Sequence, residues 1–262
     1  MLGAVLMQIT EIYKSLQGES SWAGLPCIFV RLTACNLRCT WCDSEYTFTG
    51  GVKMSLEQVE AEVRRLSGSS RYHRRDSSGL KPARNDAAYE KTLSPEGPLP
   101  LVEITGGEPM LQEREVVPLM QGLLDSGYTV LLETSGERPL HKVPRQVVKI
   151  VDVKCPHSGA PNTFRMENLQ ALGARDEVKF VLSDRADYKF AHDFIGEHEL
   201  ARRVHSVILS PAFRKDANGA RDASHCLLDP RELADWMLED GLPARLGLQI
   251  HKFVWDPALK GV

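Results

Sequence analysis

The chain has 262 residues, of which 42% are hydrophobic and 26% charged, and its formal net charge is −3. Those values fit an ordinary globular protein with a sizeable core and exclude a generally basic nucleic-acid binder. The opening MLGAVLMQITEIY lacks the basic flank and apolar length of an export signal, and no run reaches the roughly 20 apolar residues of a membrane helix, so a cytoplasmic protein with no membrane or nucleic-acid partner is expected.

In chain order, the six residues before Met7 read as an extension. The first strand-like run is Cys27–Leu32. Ser55-Leu56-Glu57-Gln58 has the form of a capping box and opens a helix to about Leu66. Residues 67–98 are polar and rich in Ser, Gly and Pro. They read as an insertion loop, and the basic run Arg71, His73, Arg74, Arg75 as its solvated face. Strand Leu101–Ile104 precedes a helix over Leu111–Ser126, apolar at Val116, Leu119, Met120, Leu123 and Leu124, with Gly127 as its stop. Strands Thr129–Leu132, Val147–Val153 and Val178–Leu182 follow, then a helix over Tyr188–Leu200 and strand Ser206–Leu209. Asp229 and Pro230 open a helix that ends at Asp240 before Gly241, and Leu246–Ile250 is the last strand-like run. Nearly continuous apolar strands alternating with helices imply βαβ units and a parallel sheet. Ligands in such folds collect at the carboxyl ends of the strands.

Three of the six cysteines, Cys35, Cys39 and Cys42, fall within eight residues directly after FVRL. Thiolates suit iron–sulfur clusters or zinc. A structural zinc site normally closes with four protein ligands. Three ligands on one loop instead leave one cluster iron open to a chelating amine and carboxylate. Zinc with a remote fourth ligand, as in an interaction module, and plain packing are the competing readings. Trp41 stands between two of the cysteines, where it could cover an adenine face. Cys27 and Cys155 read as packed residues, Cys226 has no assignable role, and His251 reads as structural or as a polar contact behind the site, not as a metal ligand. Ile104-Thr105-Gly106-Gly107-Glu108-Pro109 follows a strand and precedes a helix. Alone it would be a turn whose glycines let a ligand approach the backbone. Glu133-Thr134-Ser135-Gly136 and Asp152-Val153-Lys154 lie at later strand ends.

CNLRCTWCD resembles the signature of radical S-adenosylmethionine (SAM) enzymes, and the Gly-Gly-Glu-Pro turn resembles their SAM motif. Ser15-Leu16-Gln17-Gly18-Glu19-Ser20, Phe29-Val30-Arg31-Leu32, Leu209-Ser210-Pro211 and the end from Leu248-Gln249-Ile250-His251-Lys252-Phe253 to Val262 resemble the 7-carboxy-7-deazaguanine synthase family. A radical SAM enzyme with another substrate, such as a glycyl-radical activase, shares the cysteine loop but not the LQGE opening or the HKF terminus.

The resemblance implies an α/β fold, a partial, open parallel β/α barrel of about six units spanning residues 1–262 as one domain. It implies ring contraction of 6-carboxy-5,6,7,8-tetrahydropterin with loss of ammonia, on the way to queuosine and other deazapurines. Cys35, Cys39 and Cys42 would hold a 4Fe-4S cluster. SAM would meet Trp41, Cys42, Asp43, Gly107, Glu108, Ser135, Lys154 and the segment Ser210, Pro211, Ala212, Phe213. Arg31 offers a planar fork for the pterin carboxylate, and Gln17 and Glu19 suit its polar edge. Leu16, Gly18, Thr105 and the Val262 carboxylate join them by resemblance. Ser44 stands where the family commonly has a Thr that ligates Mg2+, and its hydroxyl is also a hard oxygen donor. A homodimer and a flavodoxin- or ferredoxin-type electron donor complete the expectation.

Overall fold

The computed structural model describes residues 6–68, 101–214, 225–255 and 259–261. The basic run of the insertion, and all of that loop from residue 69 on, lie outside the described residues, as does Val262. The strands are β1 (Leu6–Leu16), β2 (Pro26–Leu32), β3 (Val52–Ser55), β4 (Leu101–Gly106), β5 (Thr129–Thr134), β6 (Val148–Asp152), β7 (Glu177–Leu182), β8 (Ser206–Pro211) and β9 (Arg245–Leu246). They form one sheet in the order β3-β1-β2-β4-β5-β6-β7-β8-β9. β1 pairs antiparallel with β2 and β3, and every pairing from β2 through β9 is parallel. β3 and β9 are the two edges, so the expected open β/α arrangement is present.

Helices α1 (Leu56–Gly68), α2 (Glu113–Asp125), α3 (Arg185–Glu197) and α5 (Pro230–Glu239) bury Val59 and Val63, Val116 to Leu123, Tyr188 to Ile195, and Leu233 with Met237. These side chains form one core with Ile28, Val30, Ile104, Val130, Leu132, Phe180 and Leu209 of the sheet. Each large aliphatic buried there contributes about 1.5–3 kcal/mol relative to exposure. The capping box holds, with Ser55 and Gln58 exchanging side-chain-to-backbone bonds. Asp184 caps α3 through the amides of Ala186 and Asp187, so the helix begins at Arg185, three residues ahead of the expected start at Tyr188. Glu199, left-handed at φ 48°, separates α3 from the short α4 (Leu200–Arg203).

Three expectations are corrected. β1 begins at Leu6, which pairs with Ser55, so the extension does not reach as far as that residue. β1 and β3 were not expected, because they mix polar and apolar residues instead of forming continuous apolar runs. The strand expected over Leu246–Ile250 stops at Leu246, and the chain turns into α6 (His251–Val254). Gly247 packs so closely on β8 that a Cβ there would lie 2.5 Å from Ile208.

On the sheet face away from these helices, Cys27, Phe29, Leu101, Leu131, Val148 and Ile150 form a second, smaller apolar cluster. Further along the same face, and between its members, stand Arg31, Glu103, Glu133, Asp152 and Lys179. The period-2 alternation of the strands thus aims a set of charges into one cleft near their carboxyl ends.

Candidate active site

The cysteine loop leaves the end of β2 through Ala34, left-handed at φ 80°. It is tied down by Ala34 N–H to Thr47 O (2.7 Å) and Thr40 N–H to Ser158 O (2.8 Å). Arg38 donates to the carbonyls of Cys35 (2.8 Å) and Leu37 (2.6 Å), and its guanidinium lies 4.1 Å from the Phe48 ring centre. Cys35, Cys39 and Cys42 are half-buried, unpaired thiols that line the cleft. Burial pushes the thiols of Cys35 and Cys39 up, so binding a metal there must release protons. Among the described residues, the three sulfurs do not belong to any set drawn within 4.8 Å of one another. A single zinc would need sulfurs roughly 3.8 Å apart, given Zn–S near 2.3 Å in a tetrahedron.

The glycine turn after β4 lies against this loop. A Cβ on Gly107 would stand 2.3 Å from Ala34 O and 2.7 Å from Cys35 Cβ, so only glycine allows the contact. Glu108 is fully buried. Its carboxylate accepts from Met110 N (3.0 Å), Thr134 Oγ1 (2.8 Å), Ser135 N (2.9 Å) and Ser135 Oγ (2.6 Å). It ties the β4 turn to the β5 end and does not line the cleft.

A chain of polar contacts crosses the cleft. Lys179 donates to Glu19 (2.5 Å) and Glu133 (2.6 Å). Gln249 donates to the other Glu19 oxygen (2.7 Å), Lys252 donates to Gln249 (2.8 Å), and Lys252 also pairs with Asp43 (2.8 Å). Burial works against ionising Glu19, but Lys179 and then His251 hold its carboxyl down at about 2. Gln17 accepts from Glu19 N–H (2.8 Å) and donates to Glu103. Each carboxylate oxygen keeps a second lone pair for a ligand. Arg31 pairs with Glu11 (2.9 Å) and Tyr13 (2.7 Å), and Tyr46 donates to the same Glu11 oxygen (2.7 Å). Lys154 pairs with Asp152 Oδ2 (2.8 Å), whereas Asp152 Oδ1 is buried with no hydrogen-bond partner.

The cleft holds a cavity of about 210 Å3, smaller than the roughly 300–1,000 Å3 of a typical small-molecule site. It gathers the three cysteines with Trp41, Asp43, Ser44, Gly107, Ser135 and Lys154, and with Leu16, Gln17, Gly18, Glu19, Arg31 and Thr105. It does not gather Glu108, Ser210, Pro211, Ala212 or Phe213. Ser210, Ala212 and Phe213 are buried, and the Phe213 ring lies 5.2 Å beneath the Lys252 ammonium. Sequence reasoning missed Glu103, Lys179 and Tyr13, named Glu133 only within a strand-end motif, and gave Gln249 no role beyond the family-like terminus. The available signal was a charge interrupting an apolar strand, as in Leu101-Val102-Glu103-Ile104 and Val178-Lys179-Phe180.

No protein-family model matches the chain. A protein of Koribacter versatilis (strain Ellin345) named 7-carboxy-7-deazaguanine synthase is 61% identical over 256 residues, covering 98% of this chain and 100% of its own. One of the same name from Chlorobaculum tepidum is 35% identical over 259 residues, covering 98% and 97%. Among solved structures, QueE from Escherichia coli aligns with a TM-score of 0.62 over 93% of both chains at 20% identity. Streptococcus suis SuiB bound to S-adenosylmethionine aligns with a TM-score of 0.50 at 11% identity, over 82% of this chain and 44% of its own. The two structural likenesses establish the fold.

Proposed function

The chain belongs to the 7-carboxy-7-deazaguanine synthase family, and from that premise we propose that its cleft carries out the radical SAM ring contraction of 6-carboxy-5,6,7,8-tetrahydropterin to 7-carboxy-7-deazaguanine, with release of ammonia. The observation that carries this reading is that Cys35, Cys39 and Cys42 open into the same cleft as Arg31, Gln17 and Glu19. A radical source and a polar ring-binding wall thus face one space.

The residues present fit both cofactors. Three thiols on one loop, not all within 4.8 Å of one another, suit a 4Fe-4S cluster with one open iron. The orphaned Asp152 Oδ1 suits a hydroxyl or amine donor of SAM, with Lys154, Ser135 and the Gly107 backbone beside it. When bound, the cluster and SAM supply a 5′-deoxyadenosyl radical by reductive cleavage, and SAM is regenerated at the end of the cycle. The protein's own part is placement. Arg31 holds the substrate carboxylate, while Gln17 and Glu19 address the ring's polar edge. Glu108 acts by orienting Ser135. Phe213, packed beneath Lys252, backs the turn that carries Gln249.

Mg2+ at Ser44, a homodimer, a flavodoxin- or ferredoxin-type donor, the single-domain reading of residues 1–262, the Val262 carboxylate as a substrate contact and a cytoplasmic location belong to the same proposal. No helix among the described residues is long and apolar enough to cross a membrane.

The test is anaerobic turnover of carboxytetrahydropterin with SAM and a reductant. A deazapurine product with iron and sulfide in the protein supports the reading. A colourless zinc protein, or an iron–sulfur protein that makes no deazapurine, sinks it.

A further inference from the structure

Glu103 lies on the cleft-facing side of β4, opposite Phe29 of β2 and Leu131 of β5, and two residues before Thr105. It is 1% exposed. The cleft brings Glu19, Glu103 and Glu133 around one ammonium, Lys179, which bonds to Glu19 and Glu133. Arg31 makes its ion pair with Glu11, through Nε. Glu103 is therefore left without an ion-pair partner among the described residues, and its bonded side-chain partner is the neutral amide of Gln17. The orientation of that amide follows from its other bond. Gln17 Oε1 accepts the Glu19 backbone N–H, so Nε2 faces Glu103, and Glu103 Oε2 must accept.

Resting on the function proposed above, we infer that Glu103 is a specificity-determining residue, a neutral carboxylic acid whose Oε1–H donates to an acceptor on the pyrimidinone edge of the substrate ring. Three ionised carboxylates around one ammonium would leave two net negative charges in a buried space, and one proton on Glu103 removes one of them. Burial first, then the charges of Glu133 and Glu19, push the Glu103 carboxyl well above its ordinary range, against the pull of Lys179 and Arg31. The other titratable groups facing it are Tyr13 and Cys27, and burial pushes both of them up, so neither adds a charge near neutral pH. The carbonyl oxygen of an acid is its stronger acceptor, so the oxygen that accepts from Gln17 is the carbonyl. The proton falls on Oε1, which bonds to no group among the described residues. A buried donor on the cleft wall selects a ring acceptor and rejects a ring that offers an N–H there.

The test compares wild type, Glu103→Gln and Glu103→Leu in the cluster-loaded enzyme, reading KM for carboxytetrahydropterin separately from kcat. Wild-type turnover checks the underlying function independently. Glu103→Gln keeps a donor toward the ring and an acceptor toward Gln17, so KM should stay within about 3-fold, while Glu103→Leu should raise it roughly 5- to 100-fold, the worth of one buried hydrogen bond. As rising pH ionises the acid, wild-type KM should rise, and that of Glu103→Gln should not. If Glu103→Leu does not fold, the pH comparison of the other two decides. Wild-type KM that falls with pH, or Glu103→Gln as impaired as Glu103→Leu, would assign an ionised carboxylate and overturn the inference. So would an unchanged KM in Glu103→Leu.

Discussion

The ammonium of Lys252, in the short helix α6, stands 2.8 Å from the carboxylate of Asp43, the residue after the third loop cysteine. Against the cost of desolvation, Lys252 holds the Asp43 carboxyl well below its ordinary range. The same ammonium donates to Gln249, which donates to Glu19. One buried side chain near the end of the chain thus joins the cysteine loop to the loop that faces the substrate. Lys252→Met should separate them. Asp43 is 45% exposed, so water replaces much of the lost pairing. The stability cost should be about 1 kcal/mol, a fall of roughly 2–4 °C in Tm for a chain of this size. Turnover should suffer more, on the order of 100-fold, because positioning is lost. Melting and turnover measured on one preparation check this, and unimpaired turnover would remove Lys252 from the positioning role.

Glu19 gives the site a pH signature. Its carboxyl is lowered from 4.5 to about 2, burial being outweighed by Lys179 and His251. A depressed value means that the contribution is fully present above about 4.5 and is lost as pH falls through about 2. Urea unfolding midpoints should therefore fall across that window in wild type, and less steeply in Glu19→Gln. Parallel curves would show that the acid loss arises elsewhere.

The strands buried on both faces were legible because continuous apolar runs such as Phe29-Val30 and Phe180–Leu182 have few other uses. The cysteine loop, Gly107, Ser135 and Lys154 were picked out because they sit at expected strand ends, and Gln17, Glu19 and Arg31 through the family resemblance; all of them line one cleft. Lys179 was not picked out, and Glu133 only within a strand-end motif. Each interrupts an apolar strand, and only the register of β5, β6 and β7 shows that both charges face the same cleft. Glu108 shows the opposite failure. Its motif marks the cleft, but its carboxylate is spent on Ser135 and Thr134. Position along the chain cannot reveal which way a buried side chain has turned.

Five of the six cysteines should divide by iron content. Serine at Cys35, Cys39 or Cys42 should leave reconstituted protein without its brown colour and with little bound iron or sulfide. Alanine at Cys27 or Cys155 should keep the full complement. Burial pushes both of those thiols up, and each is packed in an apolar cluster. Their replacement should cost about 1 kcal/mol in lost packing. Iron that disappears with Cys155 would bring that thiol into the site.

Gly18 tests the coupling between the two chain ends most directly. Its carbonyl accepts the Ile250 N–H at 2.9 Å, and the His251 side chain lies across its α-carbon. A Cβ on Gly18 would stand 2.0 Å from His251 Nδ1 and 2.9 Å from His251 Cβ. Rotating the ring could relieve the first contact but not the second, because Cβ is fixed to the backbone of α6. Gly18→Ala should therefore displace the turn that carries Gln249 and Lys252, and free one oxygen of Glu19. The large core against the helices lies elsewhere, so Tm should fall by only a few degrees, whereas turnover should drop at least tenfold through loss of positioning. Gly173→Ala is the control: it meets open space, and Gly173 lies outside this cleft. If Gly18→Ala turns over like that control, then the docking of α6 on the LQGE loop does not position the substrate, and the Lys252–Gln249–Glu19 chain stabilises the fold without setting the chemistry.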